Sequence, residues 1–270
     1  TRQAAAYPGE AVEKPVVYLP VFPGTNCDYD TAKAFEREGA EITSSVFCNQ
    51  TPDDIEKSSA QMAEMIDACH ILAFSGGFSL GDEPDGSGKF IASVIRNEKV
   101  SAAIRRLQER GGLILGICNG FQALVKSGLL PFGKIGEVTK DSPTLFRNDI
   151  NRHISQIVTT RVGTLASPWL KDFHIGELHS IAVSHGEGKF TASAEMVETL
   201  RRNGQIAFQY ADAEGNATMH SPENPNGSAD AIEGIISPDG LILGKMGHSE
   251  RYEEGLMKNI AGNKQQSIFR

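Results

Sequence analysis

Short, nearly continuous apolar runs alternate with amphipathic stretches through the first half of the chain. Val16-Val17-Tyr18-Leu19-Pro20-Val21-Phe22 reads as a central strand covered on both faces, and Pro23-Gly24 ends it. Asp28 to Glu38 has helical composition, with Ala32, Ala34 and Phe35 as apolar contacts and Gly39 as a C-terminal stop. Ile42 to Phe47 is predicted as the second strand. Ile55 to Ala68 follows as a helix turning Ile55, Met62, Met65 and Ile66 inward, before Ile71-Leu72-Ala73-Phe74 re-enters the sheet. Val100 to Arg110 carries Ile104 and Leu107 on an amphipathic helix closed by Gly111-Gly112, and Leu113 to Ile117 forms a further strand. This alternation predicts right-handed crossovers and a mostly parallel sheet whose loops gather at the strands' carboxyl ends.

The second half has a different texture. Ile154 to Val162, Ser180 to Val183, Ile206 to Tyr210, Ala231 to Ser237 and Leu241 to Lys245 read as strands with fewer helices between them, some of them antiparallel. Ser237-Pro238-Asp239-Gly240 has strong turn chemistry, which predicts a hairpin between Ile232–Ile236 and Leu241–Leu243. Gly215 through Ser228 is rich in Asn, Pro, Gly and Ser and reads as a loop. Thr1 to Lys14 is expected to be a flexible lead-in or linker, residues 15–262 one domain, and 263–270 a C-terminal tail.

A chain of 270 residues with 40% hydrophobic content can bury a substantial core. Its formal charge of -8 argues against sequence-independent nucleic-acid binding, which needs a basic face to displace counterions. No apolar run approaches the roughly 18 residues that span a bilayer, and no secretory signal is visible at the start. The four cysteines, Cys27, Cys48, Cys69 and Cys118, lack paired C-x-x-C spacing and read as reduced thiols of a cytoplasmic protein.

One of these cysteines stands out. In Leu113-Ile114-Leu115-Gly116-Ile117-Cys118-Asn119-Gly120-Phe121-Gln122 a buried-strand pattern runs into a cysteine framed by glycines two residues away on each side, the pattern of a nucleophile elbow. The glycines would tolerate the crowding and unusual dihedrals of the turn. The amide of Asn119, first in the next helix, would point at negative charge developing beside the sulfur. His248-Ser249-Glu250 follows directly on the Leu241–Lys245 strand, so an imidazole oriented by a carboxylate two residues away can complete a triad. Ser75-Gly76-Gly77-Phe78-Ser79 follows the Ile71–Phe74 strand and brings bare backbone to the same edge. Together these signals point to attack on a carbonyl carbon. Cys27, Cys48 and Cys69 read as buried structural thiols. Gly86-Ser87-Gly88-Lys89 lacks the first glycine and the preceding strand of a phosphate loop, and the remaining histidines show no metal-ligand spacing, so neither ATP nor a metal is expected here.

At this point the chain resembles the class I glutamine amidotransferases, most of all the glutaminase domains and subunits of phosphoribosylformylglycinamidine synthases. The matching motifs are Phe22-Pro23-Gly24-Thr25-Asn26-Cys27-Asp28, Ser75 to Ser79, Gly116 to Gln122, His185-Gly186-Glu187-Gly188, Asn224-Pro225-Asn226-Gly227-Ser228 and His248-Ser249-Glu250-Arg251, over roughly residues 15 to 260. Gly247 and Ser249 depart from the usual Met-Pro-His-Pro-Glu-Arg ending, and Phe121 replaces a smaller residue. The resemblance implies an α/β, flavodoxin-like, mostly parallel sheet flanked by helices, with additional antiparallel strands in the second half. It implies glutamine hydrolysis through Cys118, His248 and Glu250, an oxyanion hole from the amides of Gly77 and Asn119, and glutamine contacts from Gln122, Gly76 and His185. It also implies no cofactor in this domain, and ammonia delivery to a synthetase subunit or linked domain that binds ATP and Mg and amidates formylglycinamide ribonucleotide. Two rivals are a dienelactone-type cysteine hydrolase, which the His-x-Glu order disfavours, and a catalytically silent interaction domain.

Overall fold

The computed structural model describes residues 5–9, 12–81, 86–136 and 138–270; of the expected lead-in, residues 1–4, 10 and 11 lie outside them. In chain order the first half runs β1 (Val16–Val21), α1 (Asp28–Arg37), β2 (Glu41–Val46), α2 (Pro52–Ala68), β3 (Ile71–Phe74), α3 (Lys89–Ile95), α4 (Glu98–Glu109), β4 (Leu113–Ile117), α5 (Asn119–Ser127) and the short α6 (Leu129–Phe132). The second half adds β5 (Thr144–Phe146), β6 (Ile154–Val162), β7 (Leu178–His185), β8 (Lys189–Thr191), α7 (Ala194–Arg202), β9 (Ile206–Tyr210), β10 (Ile232–Ile236) and β11 (Ile242–Lys245).

Among the described residues nine strands form one sheet in the order β2-β1-β3-β4-β11-β10-β9-β6-β7, while β5 and β8 pair separately. The sheet is mixed. From β2 to β11 every pairing is parallel, and from β11 to β7 every pairing is antiparallel. The boundary falls at the predicted hairpin, where Gly240 N–H closes the turn on Ser237 O at 2.9 Å. The apolar runs mark the centre of the sheet: Val17, Tyr18 and Leu19 of β1 and Ile114, Leu115 and Ile117 of β4 are buried in one core.

Several expectations need correction. Cys48 is exposed, because it follows β2, an edge strand with a neighbour on one side only. Ile55 is 41% exposed at the first turn of α2, which begins earlier than expected behind a capping box formed by Thr51 and Asp54. The pattern gave no sign of α3, too short and too evenly buried to show a helical period, or of α7, in which Leu200 is the buried residue. Within the expected C-terminal tail, 263–270, which these contacts do not contradict, Gln266 and Ile268 are buried and the Phe269 ring meets Phe35 edge-on with centroids 5.0 Å apart.

Candidate active site

The central parallel strands β4 and β11 bring together residues far apart in sequence. They pair with Ile117 opposite Lys245, and Cys118 N–H donates to Lys245 O at 2.8 Å, so the segments following both strands leave the sheet side by side. Cys118 leaves on the first, Gly247 and His248 on the second. The nucleophile elbow is present: Cys118 caps α5 with φ 53° and ψ −104°, a sparsely populated conformation for a residue with a side chain. Neither framing glycine shares this strain. Both instead relieve crowding, since a Cβ on Gly116 would lie 2.6 Å from Leu124 Cδ1 and one on Gly120 would lie 2.1 Å from Phe74 O.

His248 and Glu250 are buried and bound to each other, with Nδ1 2.6 Å from Glu250 Oε1. Burial opposes protonation of the imidazole, but the Glu250 carboxylate and the Cys118 sulfur outweigh it and hold the His248 pKa well above its ordinary value. Burial likewise opposes ionisation of Glu250, and His248 outweighs it and lowers that pKa. Nδ1 is therefore the protonated nitrogen that Glu250 holds, and Nε2, which has no hydrogen-bond partner among the described residues, is left for proton exchange. Gly76 lies between the reacting groups: a Cβ there would sit 2.9 Å from His248 Cε1, 3.1 Å from Cys27 Sγ and 3.5 Å from Cys118 Cβ.

The Ser75–Ser79 loop is locked to the elbow. Asn119 Oδ1 accepts from Ser79 N–H at 3.3 Å and from Ser79 Oγ at 2.5 Å. Gly77 adopts φ +153°, and a Cβ on it would lie 2.5 Å from Gly24 O, so the position excludes side chains. The Gln122 side chain accepts from Asn119 Nδ2 at 3.0 Å and donates to Glu187 O at 2.8 Å, bracing α5 against the turn after β7. His185 ends β7 beside the site: Cys118 Sγ–H donates to the carbonyl of its neighbour Ser184 at 3.6 Å. Burial, reinforced by the charge of His248, pushes the His185 pKa down to about 3. The motif Asn224 to Ser228 supports this turn from behind, through Asn226 Nδ2 to Gly188 O at 2.8 Å and Phe190 N–H to Ser228 Oγ at 2.9 Å.

Cys27, Arg251 and Asn148 escaped the sequence reading as residues of the site. Cys27 is buried as expected, but its sulfur is 4.0 Å from His248 Nδ1 and accepts from Arg251 Nη2 at 3.4 Å. The signal was available: Cys27 follows β1, and parallel strands deliver their following loops to one edge. Asn148 had no such signal. It fixes the His185 ring, because its Oδ1 accepts from Gly188 N–H at 3.1 Å and from His185 Nδ1 at 3.2 Å while its Nδ2 donates to His185 O at 2.8 Å. Among the described residues one group has metal-ligand character, Cys27, His248 and Glu250, with donor atoms within 4.8 Å of one another. It fits a cation poorly. Nδ1 already donates to Glu250, and the Arg251 guanidinium brings positive charge to the Cys27 sulfur.

Comparison with known proteins agrees with this geometry. Residues 14–270 match the family described as the CobB/CobQ-like glutamine amidotransferase domain. The chain is 32% identical over 244 residues to phosphoribosylformylglycinamidine synthase subunit PurQ of Gloeobacter violaceus, covering 90% of this chain and 92% of that protein. It is 37% identical over 233 residues to the subunit of the same name from Dehalococcoides mccartyi, covering 86% and 84%. Among solved structures, PurLQS from Thermotoga maritima matches with a TM-score of 0.67 at 27% identity, over 95% of this chain and 96% of that one.

Proposed function

The chain belongs to the CobB/CobQ-like glutamine amidotransferases, among relatives of the PurQ subunit, and from that premise we propose that it is the glutaminase component of a phosphoribosylformylglycinamidine synthase. The observation that carries this reading is the pairing of β4 with β11, which sets an elbow cysteine beside a buried imidazole–carboxylate pair.

The Cys118 thiol gives its proton to His248, and the resulting thiolate, paired with the imidazolium, attacks the side-chain carboxamide carbon of glutamine. The raised proton affinity of the imidazole, set by Glu250 and Cys118 against the cost of burial, favours that transfer. The amides of Gly77 and Asn119 receive the negative charge of the tetrahedral intermediate, at about 2.7–4 kcal/mol per donor. The C–N bond then breaks as the imidazolium returns its proton to the departing nitrogen. This releases ammonia and leaves a glutamyl thioester, which water hydrolyses with His248 as base. Gly76, Gln122 and His185 shape the glutamine pocket: Gly76 by leaving room between the two cysteines and the imidazole, Gln122 by bracing the turn at 185–188, His185 as a neutral ring.

This domain needs no cofactor of its own. Ammonia passes to a synthetase partner that binds ATP and Mg and amidates formylglycinamide ribonucleotide, and the setting is the cytoplasm; no helix among the described residues is long and apolar enough to cross a membrane. Cys118→Ala, assayed with the synthetase, is expected to abolish glutamine-dependent synthesis and to leave synthesis from ammonium salts intact. Loss of both activities, or ester hydrolysis without glutamine turnover in the unaltered protein, overturns the assignment.

A further inference from the structure

Directly beneath the loop that carries His248 lie two buried charges that the chemistry above does not use. Lys245, the last residue of β11, and Glu233 of β10 are wholly buried, with Nζ 3.1 Å from Oε1. Removing both charges from water is expensive, and such a pair is weak evidence for stability because well-packed apolar residues often do as well. Its contacts point to a different role.

The pair holds the residue before His248 at both of its backbone polar groups. Gly247 N–H donates to Glu233 Oε1 at 2.5 Å, and Lys245 Nζ donates to Gly247 O at 2.8 Å. Nζ also donates to Ser249 Oγ, on the other side of His248, at 2.9 Å. Ser249 Oγ in turn donates to Gln266 Oε1 at 2.6 Å. An ammonium group offers three donors, and these are spent on Gly247, Ser249 and Glu233. The Lys245 carbonyl meanwhile accepts the N–H of Cys118 at 2.8 Å, and Met246 N–H donates to Glu233 O at 3.0 Å. One residue thus touches the nucleophile through its backbone and the imidazole's loop through its side chain.

The loop sequence fits this clamp. A Cβ at position 247 would lie 2.7 Å from Glu233 Oε1 and 3.1 Å from Lys245 Nζ, so the charges close on Gly247 only because it has no side chain. Gly247 and Ser249 are also the two positions at which the loop departs from the Pro-His-Pro pattern. A proline at 247 has no N–H for Glu233, and a proline at 249 has no hydroxyl for Lys245.

We propose that Lys245 and Glu233 are positioning residues of the glutaminase reaction: a buried ion pair that fixes Gly247 and Ser249 and thereby aims the His248 imidazole at Cys118. The proposal rests on the glutaminase reading of the site. Its test is the double variant Glu233→Ala/Lys245→Met, assayed with the synthetase, which removes both charges together and strands neither. We expect kcat for glutamine to fall 30- to 100-fold with KM within threefold, alkylation of Cys118 by iodoacetamide to slow at pH 7, and the thermal unfolding midpoint to stay level or rise. Glu233→Gln/Lys245→Met, which restores an acceptor for Gly247 N–H without charge, should recover part of the lost kcat. Either kcat and alkylation within threefold of the unaltered protein, or a loss of kcat matched by a lowered unfolding midpoint in both variants, overturns the clamp. Absence of glutaminase activity in the unaltered protein would instead overturn the proposed function, and the alkylation rates would still report on the clamp without glutamine.

Discussion

His185 is the titratable residue of the site whose neutral form the surroundings impose most clearly. Its ring is buried, its Nδ1 donates to Asn148 Oδ1, and burial with the nearby His248 charge holds its pKa at about 3. In the unfolded chain it titrates near 6.5. Between those values the unfolded state binds the extra proton, so the contribution of His185 to stability is present above pH 6.5 and is lost as the pH falls. His248, with a raised pKa, adds no slope there because it is protonated in both states below pH 6.5; its contribution is lost only as the pH rises through the folded pKa. Glu250, with a lowered pKa, acts below its ordinary value of 4.5. His179 is also lowered, by burial and then by Lys245 against Glu177, and acts in the same direction as His185. Replacing His185 with Asn should therefore remove up to about 1.4 kcal/mol per pH unit from the stability slope between pH 4.5 and 6. Urea unfolding across that range measures it, and an unchanged slope would mean the ring is not held neutral.

Packing around the elbow depends on strand β4, helix α5 and strand β3 approaching more closely than side chains permit. Gly120 faces the backbone of Phe74, and Gly244 on β11 leaves room for Phe121, to whose ring a Cβ there would come within 2.2 Å. The larger residue at 121 is thus accommodated by a glycine on the neighbouring strand. Gly120→Ala must push α5 off β3, because the obstructing atom is a carbonyl oxygen rather than a flexible side chain. A loss of about 2–3 kcal/mol is expected, read as a lower urea midpoint, together with slower alkylation of Cys118. The sequence pattern located this element to the residue, since Leu113–Ile117 and the cysteine behind it match the observed strand and cap. It did not reveal that the unusual dihedrals belong to Cys118 and not to the glycines. Periodicity carries no information about which of several adjacent residues bears a turn's strain.

At the scale of the whole molecule, residues 263–270 link the sheet, α1 and the active-site loop. Ile268 is 1% exposed within the main core, and Gln266 joins Ser249 to Thr160 on β6. Ile268→Ala is expected to cost about 3 kcal/mol and lower the thermal midpoint by roughly 5 °C, as a large-to-small change in a filled core does. Differential scanning calorimetry checks this, and an unchanged midpoint would show that the segment adds nothing to the domain.

What the sequence by itself determined was local: the strands at 71–74, 113–117, 154–162 and 206–210, the turn at 237–240, and the chemical types gathered at Cys118, His248 and Glu250. These follow from patterns within a few residues, where apolar spacing and turn chemistry act. Only the tertiary structure decided that β11 lies next to β4, that Cys27 and Arg251 border the imidazole, and that Lys245 and Glu233 meet beneath Gly247. Strand order is set by hydrogen bonds and packing between segments far apart in the chain. A run of apolar residues reports that it is buried, and carries no record of which strand it lies beside.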